Sequence, residues 1–251
     1  MKFGVADFGM NVWDGGNYDF TIRLEELKKI GFDGTERLEP HDAADAVYRA
    51  AVYRKLGMDF ATCRCGGPET SIPLTAGLGK DYVWLVPGDC SRNCDMETYI
   101  RRSNRFIQAT DRYNIGAALH NHLGQRIENQ EELDLFMKEC PGAKLLLDIG
   151  HLHSAGGDVL GTIERYFDRL AAIHFKDVFI KDESIGLDKW NARLRFCELG
   201  AGNCDVPWKE AAELLKKLGY DKWVLIEHDT HLRDPLVDLK ISLDHLKEIF
   251  C

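Results

Sequence analysis

Apolar and polar positions alternate along this chain on two periods. Eight short β-like runs occupy residues 2–8, 34–38, 59–65, 82–86, 116–121, 144–149, 171–177 and 223–229. Between most of them lie stretches with apolar residues at helical spacing, at 20–30, 43–56, 96–113, 130–140, 159–170, 208–218 and 234–250. Ile22, Leu24, Leu27 and Ile30 mark the buried side of the first, and Pro141-Gly142 stops the fourth. Pro235 suits the first turn of the last. Strands that alternate with helices pair in parallel, and eight such units in 251 residues have the size of one closed (β/α)₈ TIM barrel. A doubly wound open sheet would carry a Gly-rich phosphate fingerprint after its first strand. The segment DFGMNVWDGGN has none. No linker or composition shift marks a second domain, so residues 1–251 read as one domain. Residues 66–80 and 179–204 read as irregular, and the second stretch holds Trp190, Arg193 and Arg195. Long loops on a barrel shape the pocket.

The run AKLLLDIGH carries the first chemical signal. Residues 144–147 read as a strand covered on both faces, with Asp148 at its end and His151 and His153 just beyond. The same grammar recurs in GAALHNHLG (His120, His122), AAIHFKDV (His174, Asp177) and WVLIEHD (Glu227, His228). In a barrel all strand C-termini meet on one rim, and that rim holds the active site. His120, Asp148, His174 and Glu227 would converge there from the last four strands. Two imidazoles and two carboxylates form a mixed first shell suited to one divalent ion: Zn²⁺, Mn²⁺, Co²⁺ or Fe²⁺.

Each residue also has a plainer reading. An Asp at a strand end commonly caps a helix, and a lone His174 could be a satisfied core histidine. His41 and His245 read as structural. Residues 120 and 122 point to one side of a strand, so His120 or His122 could ligate and the other contact substrate. Glu128 is either a site carboxylate or a favourable charge at a helix start. Glu36 faces the same rim from the second strand. Lys176 and Asp177 could anchor a substrate hydroxyl or hold the second nitrogen of His174.

Composition narrows the partners. Charged residues make up 29% of the chain and the formal net charge is −9, which disfavours phosphate backbones. No apolar run reaches the roughly 18 residues of a membrane span, and MKFGVADFGM does not read as a signal peptide. The expected setting is the cytoplasm. The eight cysteines are scattered without zinc-ribbon spacing and read as reduced, mostly buried thiols. Oligomeric state is not legible.

The pieces GFDGTE, HNHLGQRIEN, LLLDIGHLHSAGGD, IHFKDV, ELGAGNCD and WVLIEHD resemble the xylose isomerase-like (β/α)₈ superfamily of sugar-phosphate isomerases and epimerases, and most nearly its inosose dehydratase-like members. The resemblance spans roughly residues 20–230. It implies that Asp148, His174 and Glu227 are metal ligands. The remaining ligand is often a Glu at the end of the fifth strand, where this chain has His120, so His120, His122 or Glu128 would supply it. The resemblance also implies that His151, Lys176 and Glu128 contact substrate.

The implied reaction is metal-dependent isomerisation or epimerisation of a sugar or keto-sugar through an enediolate, with Glu227 as the base and Glu128 as its partner. Expulsion of a β-hydroxyl would instead give an inosose-type dehydratase. A non-catalytic barrel subunit is a further reading. A three-zinc abasic-site endonuclease fits poorly, because the early strands offer no histidine.

Overall fold

The computed structural model describes residues 1–6, 19–229 and 232–250. Eight parallel strands form a nearly closed barrel: β1 (Lys2–Ala6), β2 (Gly34–Leu38), β3 (Asp59–Cys63), β4 (Tyr82–Trp84), β5 (Gly116–His120), β6 (Lys144–Asp148), β7 (Leu170–Phe175) and β10 (Trp223–Glu227). Their hydrogen-bonded order is β3-β2-β1-β10-β7-β6-β5-β4. At the remaining seam the Thr62 hydroxyl donates to the Tyr82 carbonyl at 2.6 Å, joining β3 to β4. The (β/α)₈ expectation holds. The first expected strand ran on to residue 8, and its last two residues lie outside the described ones.

Helices α1 (Phe20–Ile30), α2 (Ala43–Leu56), α4 (Met96–Asp111), α5 (Gln130–Glu139), α7 (Val159–Tyr166), α9 (Trp208–Lys217) and α10 (Pro235–Phe250) cover the outside. Asp19, Asp42, Asp95, Asn129 and Asp158 cap five of them with side-chain oxygens. The 66–80 stretch, expected to be irregular, contains α3 (Pro68–Gly77). Its pattern lacks a periodic apolar stripe and Pro73 lies inside it, so periodicity missed it. The 179–204 stretch lies largely in an antiparallel hairpin that starts two residues earlier, β8 (Asp177–Ile180) with β9 (Leu194–Cys197), closed through the short α8 (Trp190–Arg193). Another short helix, α6 (Ile149–Ser154), starts directly from β6.

The barrel interior is built in layers. Ala61, Tyr82, Ala118, Leu146, Ala172 and Leu225 pack together as an apolar floor. Side chains repeat on one strand face every second residue. The next inward positions above this floor are therefore Trp84, His120, Asp148, His174 and Glu227. Pairing of Asp148 with His174, and of Leu225 with His174, keeps the last three close in height. Glu36 follows the same rule two residues after Gly34. Gly34 itself has no space for a side chain, since a Cβ there would lie 1.7 Å from the Asp59 carbonyl oxygen.

Candidate active site

His120, Asp148, His174 and Glu227 meet at the strand C-termini, each offering a donor atom within 4.8 Å of the others. Asp148, His174 and Glu227 are buried. Asp148 Oδ2 lies 3.5 Å from His120 Nε2 and 3.6 Å from His174 Nδ1, and His174 Nδ1 lies 2.9 Å from Glu227 Oε2. Both readings of Asp148 are realised, one on each oxygen. Oδ1 accepts the His151 N–H at 2.8 Å as the cap of α6, whereas Oδ2 is buried and makes no hydrogen bond, with the Lys176 ammonium 3.2 Å away as its ion-pair partner. Asn121 fixes the strand end, exchanging hydrogen bonds of 2.9 Å with the Asp148 backbone. His120 Nε2 likewise makes no hydrogen bond. Buried polar atoms that make no hydrogen bond are costly. A convergent set of them is the arrangement that a divalent ion would satisfy, so these four residues fit one as a possible metal site.

A second ring of groups sits above. Lys176 Nζ is 2.7 Å from Glu227 Oε2, 2.7 Å from Asp229 Oδ2, 3.2 Å from Asp148 Oδ2 and 3.3 Å from His151 Nε2. Its side chain is fully buried, and its stem crosses Gly150. Burial opposes the charge on Lys176, but Asp148, Asp229 and Glu227 outweigh it and raise its pKa. Burial likewise opposes ionisation of Asp148 and Glu227. Lys176 and the neighbouring histidines nevertheless hold both well below the usual carboxylate range. Asp229 goes the other way: burial and the nearby Glu227 raise it. His151, through burial and Lys176, is pushed well below an ordinary imidazole. His122 lies tilted beside it with ring centroids 3.8 Å apart, and burial and His120 lower it to about 4. Trp190, carried on α8, reaches over both histidines.

Three expected contacts have different surroundings. Glu36 is fully buried; its Oε1 accepts the Trp84 indole N–H at 2.7 Å and its Oε2 faces His174 Nε2 at 3.2 Å. It stands behind the histidine. Asp177 accepts backbone N–H groups of Val178, Gly200 and Gly202 at 2.8, 2.9 and 3.3 Å, so its carboxylate holds the ELGAGN loop. Glu128 pairs with Arg92 at 2.6 Å and accepts the Gly124 N–H. It borders a separate cavity of about 520 Å³ with Asn129 and Leu187. It is not among the four clustered residues. Asp229 was missed by the sequence reading, although it stands two residues after Glu227 and alternation points both the same way.

A cavity of about 560 Å³ lies at the strand N-termini beside Lys2, Asp59, Lys144 and Lys222, away from this cluster. A cavity of about 370 Å³ touches it through Trp84 and His120 and extends to Arg64 and Gln125. Of the four clustered donors, His120 lines it.

A family model described as "Xylose isomerase-like TIM barrel" matches residues 69–249. The chain belongs to the xylose isomerase-like TIM barrel family. An inosose dehydratase from Geobacillus thermodenitrificans is 28% identical over 94% of this chain and 91% of its own length. One from Bacillus licheniformis is 28% identical over a shorter region, so that the chain spans about half the length of that relative, 47%. The rhizopine catabolism protein MocC of Rhizobium meliloti is 30% identical over 92% of this chain and 82% of its own. Among solved structures of this family's fold, the probable 3-DHS dehydratase AsbF of Bacillus anthracis superposes with a TM-score of 0.77 at 15% identity, covering 98% of this chain and 99% of that one. D-psicose 3-epimerase of Clostridium cellulolyticum H10 gives 0.71 at 16% identity, covering 100% and 99%. No helix among the described residues is long and apolar enough to cross a membrane.

Proposed function

We propose that this xylose isomerase-like barrel is a one-metal enzyme that removes a proton beside the carbonyl of a cyclitol ketone or keto-sugar and expels the β-hydroxyl as water. The single observation that carries the metal requirement is the convergence of the His120, Asp148, His174 and Glu227 donor atoms, with His120 Nε2 buried and making no hydrogen bond. A divalent ion held by these four would supply Lewis acidity toward the substrate carbonyl.

The chain's own residues supply the rest. Glu227 is the carboxylate base for the α-proton. Lys176 and His151, buried beside it, contact substrate oxygens, and Lys176 is the donor placed to stabilise charge that develops there. Dehydration needs one base at the α-carbon and one acid at the leaving hydroxyl. The C–H electrons become the new double bond, the C–O bond breaks, and the hydroxyl leaves with the acid's proton as water. Asp229, 2.7 Å from Lys176, is the carboxyl group placed for the acid's role by its position. Glu128, engaged by Arg92, is a poorer partner for Glu227 than the sequence suggests.

Dehydration is favoured over epimerisation for two reasons. One relative aligned over 91% of its own length is an inosose dehydratase. Epimerisation also needs a second base on the opposite face of the substrate, and the fifth-strand position that would face Glu227 is His120. The reading places the protein with small polyhydroxy substrates, and its expected setting remains the cytoplasm.

The test is incubation with Mn²⁺ and a panel of inososes, ketoses and 3-keto-glycosides in D₂O, followed by mass spectrometry and NMR. Loss of water from an inosose or keto-sugar supports the proposal, and Glu227→Gln should abolish it without unfolding the protein. Deuterium uptake without water loss would replace dehydration by isomerisation or epimerisation. No exchange with any substrate would overturn the enolisation chemistry itself.

A further inference from the structure

Two cation positions share the same carboxylates in this barrel. One is the His120–Asp148–His174–Glu227 group. The other is bounded by His151, Glu227 and Asp229, whose donor atoms also converge within 4.8 Å. Asp148 Oδ2 and Glu227 Oε2 border both, and the Lys176 ammonium stands in the second, 2.7–3.3 Å from all four residues around it. Three carboxylate oxygens and an imidazole nitrogen within that distance of one point make a donor set for a divalent ion as complete as the first.

We infer that Lys176 is a built-in cation that fills the second position and limits the site to one metal ion. Its charge offsets three carboxylates that would otherwise repel one another in a buried space. A divalent ion entering there would have to displace the ammonium against the repulsion between like charges. The lysine is held in place by more than its ion pairs. Its stem fills the space over Gly150, where a Cβ would lie 2.4 Å from Lys176 Cγ and 3.1 Å from Cδ. Its head lies 4.2 Å from the centre of the Phe196 ring, so the β8–β9 hairpin closes the side away from the carboxylates. The consequence for chemistry is one Lewis acid and one fixed hydrogen-bond donor, where multi-metal hydrolases of comparable ligand density use paired ions about 3.5–4 Å apart.

The inference rests on the one-metal reading of the site, and metal stoichiometry separates the two. Purified protein, Lys176→Met and Lys176→Arg would be titrated with Mn²⁺ and followed by equilibrium dialysis and electron paramagnetic resonance. The parent protein and K176R should each bind one equivalent with an isolated Mn²⁺ spectrum. K176M should bind two, with the broadened spectrum of a coupled pair, and Asp229→Asn in that background should return it to one. One equivalent in K176M overturns the inference and leaves the one-metal reading intact. Two equivalents in the parent protein also overturn it, and this arm decides even if K176M fails to fold. No binding by the parent protein overturns the metal reading and the inference together.

Discussion

Lys176 lies across Gly150 so closely that no side chain fits between them. Any Cβ at Gly150 would sit 2.4 Å from Lys176 Cγ and 3.2 Å from the Lys176 carbonyl oxygen. The glycine in the DIGH motif is therefore the space through which the lysine that follows β7 reaches the carboxylates. Gly150→Ala should displace Lys176 from Glu227 and Asp229. The expected result is a loss of about 1–3 kcal/mol of stability, the usual range for overpacking, together with a fall in turnover. Urea unfolding and steady-state rates check both. Unchanged stability and turnover would mean that the lysine takes another path at no cost.

This pairing illustrates what the sequence can and cannot reveal. Asp148, His174 and Glu227 were legible because each ends an apolar run, and parallel pairing brings such ends to one rim. His120 became the fourth member of the cluster only through register, since alternation alone allowed His122 equally. Helix α3 was invisible because Pro73 interrupts a segment without an apolar stripe. The β8–β9 hairpin was invisible because its strands pair only with each other, outside the barrel's alternation of strand and helix. Asp177, the first residue of β8, and Glu36, in the middle of β2, have site-like identities. What separates them from the cluster is orientation: one turns to the backbone of a loop and the other to the far nitrogen of His174. Periodicity carries no information about either.

Glu36 is placed to orient His174. The imidazole presents Nδ1 to Asp148 and Glu227 and Nε2 to Glu36 Oε2 at 3.2 Å. Burial opposes ionisation of Glu36, yet His174 holds its pKa below the ordinary value. An acceptor behind Nε2 favours the tautomer with its proton there and leaves Nδ1 free for a metal. Glu36→Leu should weaken Mn²⁺ binding by about 10–100-fold, the usual effect of removing such a partner. Glu36→Gln, which keeps an acceptor oxygen, should lose less. Calorimetric titration of the two variants checks the order, and equal affinities in both and in the parent protein would remove Glu36 from the metal's support.

Asp177 should behave as a loop anchor. Its carboxylate accepts three backbone N–H groups, and Gly202 approaches so closely that a Cβ there would lie 2.1 Å from Asp177 Oδ1. Asp177→Ala leaves those donors without their acceptor. It should cost about 1–3 kcal/mol and speed proteolysis between residues 198 and 205, while Mn²⁺ stoichiometry stays the same. A raised KM at unchanged stability would instead make Asp177 a substrate contact.

Glu132 gives the fold a pH dependence away from the site. It lies in the first turn of α5 and accepts from Arg92 Nη2 at 2.8 Å, Arg126 Nη2 at 2.6 Å and the Glu128 N–H at 3.0 Å. Burial opposes its charge, but the hydrogen bonds and the two guanidinium groups prevail and lower its pKa. A depressed carboxyl binds its proton more readily in the unfolded chain, so the stabilisation is complete above the unfolded pKa, near 4.5. It fades as pH falls through the lower folded value. Glu132→Gln should therefore lower stability by about 1–2 kcal/mol at pH 7, where charged hydrogen bonds of this kind are at full strength. The difference between parent and variant should shrink as the pH is taken below 4. Paired denaturant titrations at neutral and acid pH measure it. A difference that stays constant, or grows, with acidification would show that packing rather than charge holds Glu132 in place, because packing does not titrate.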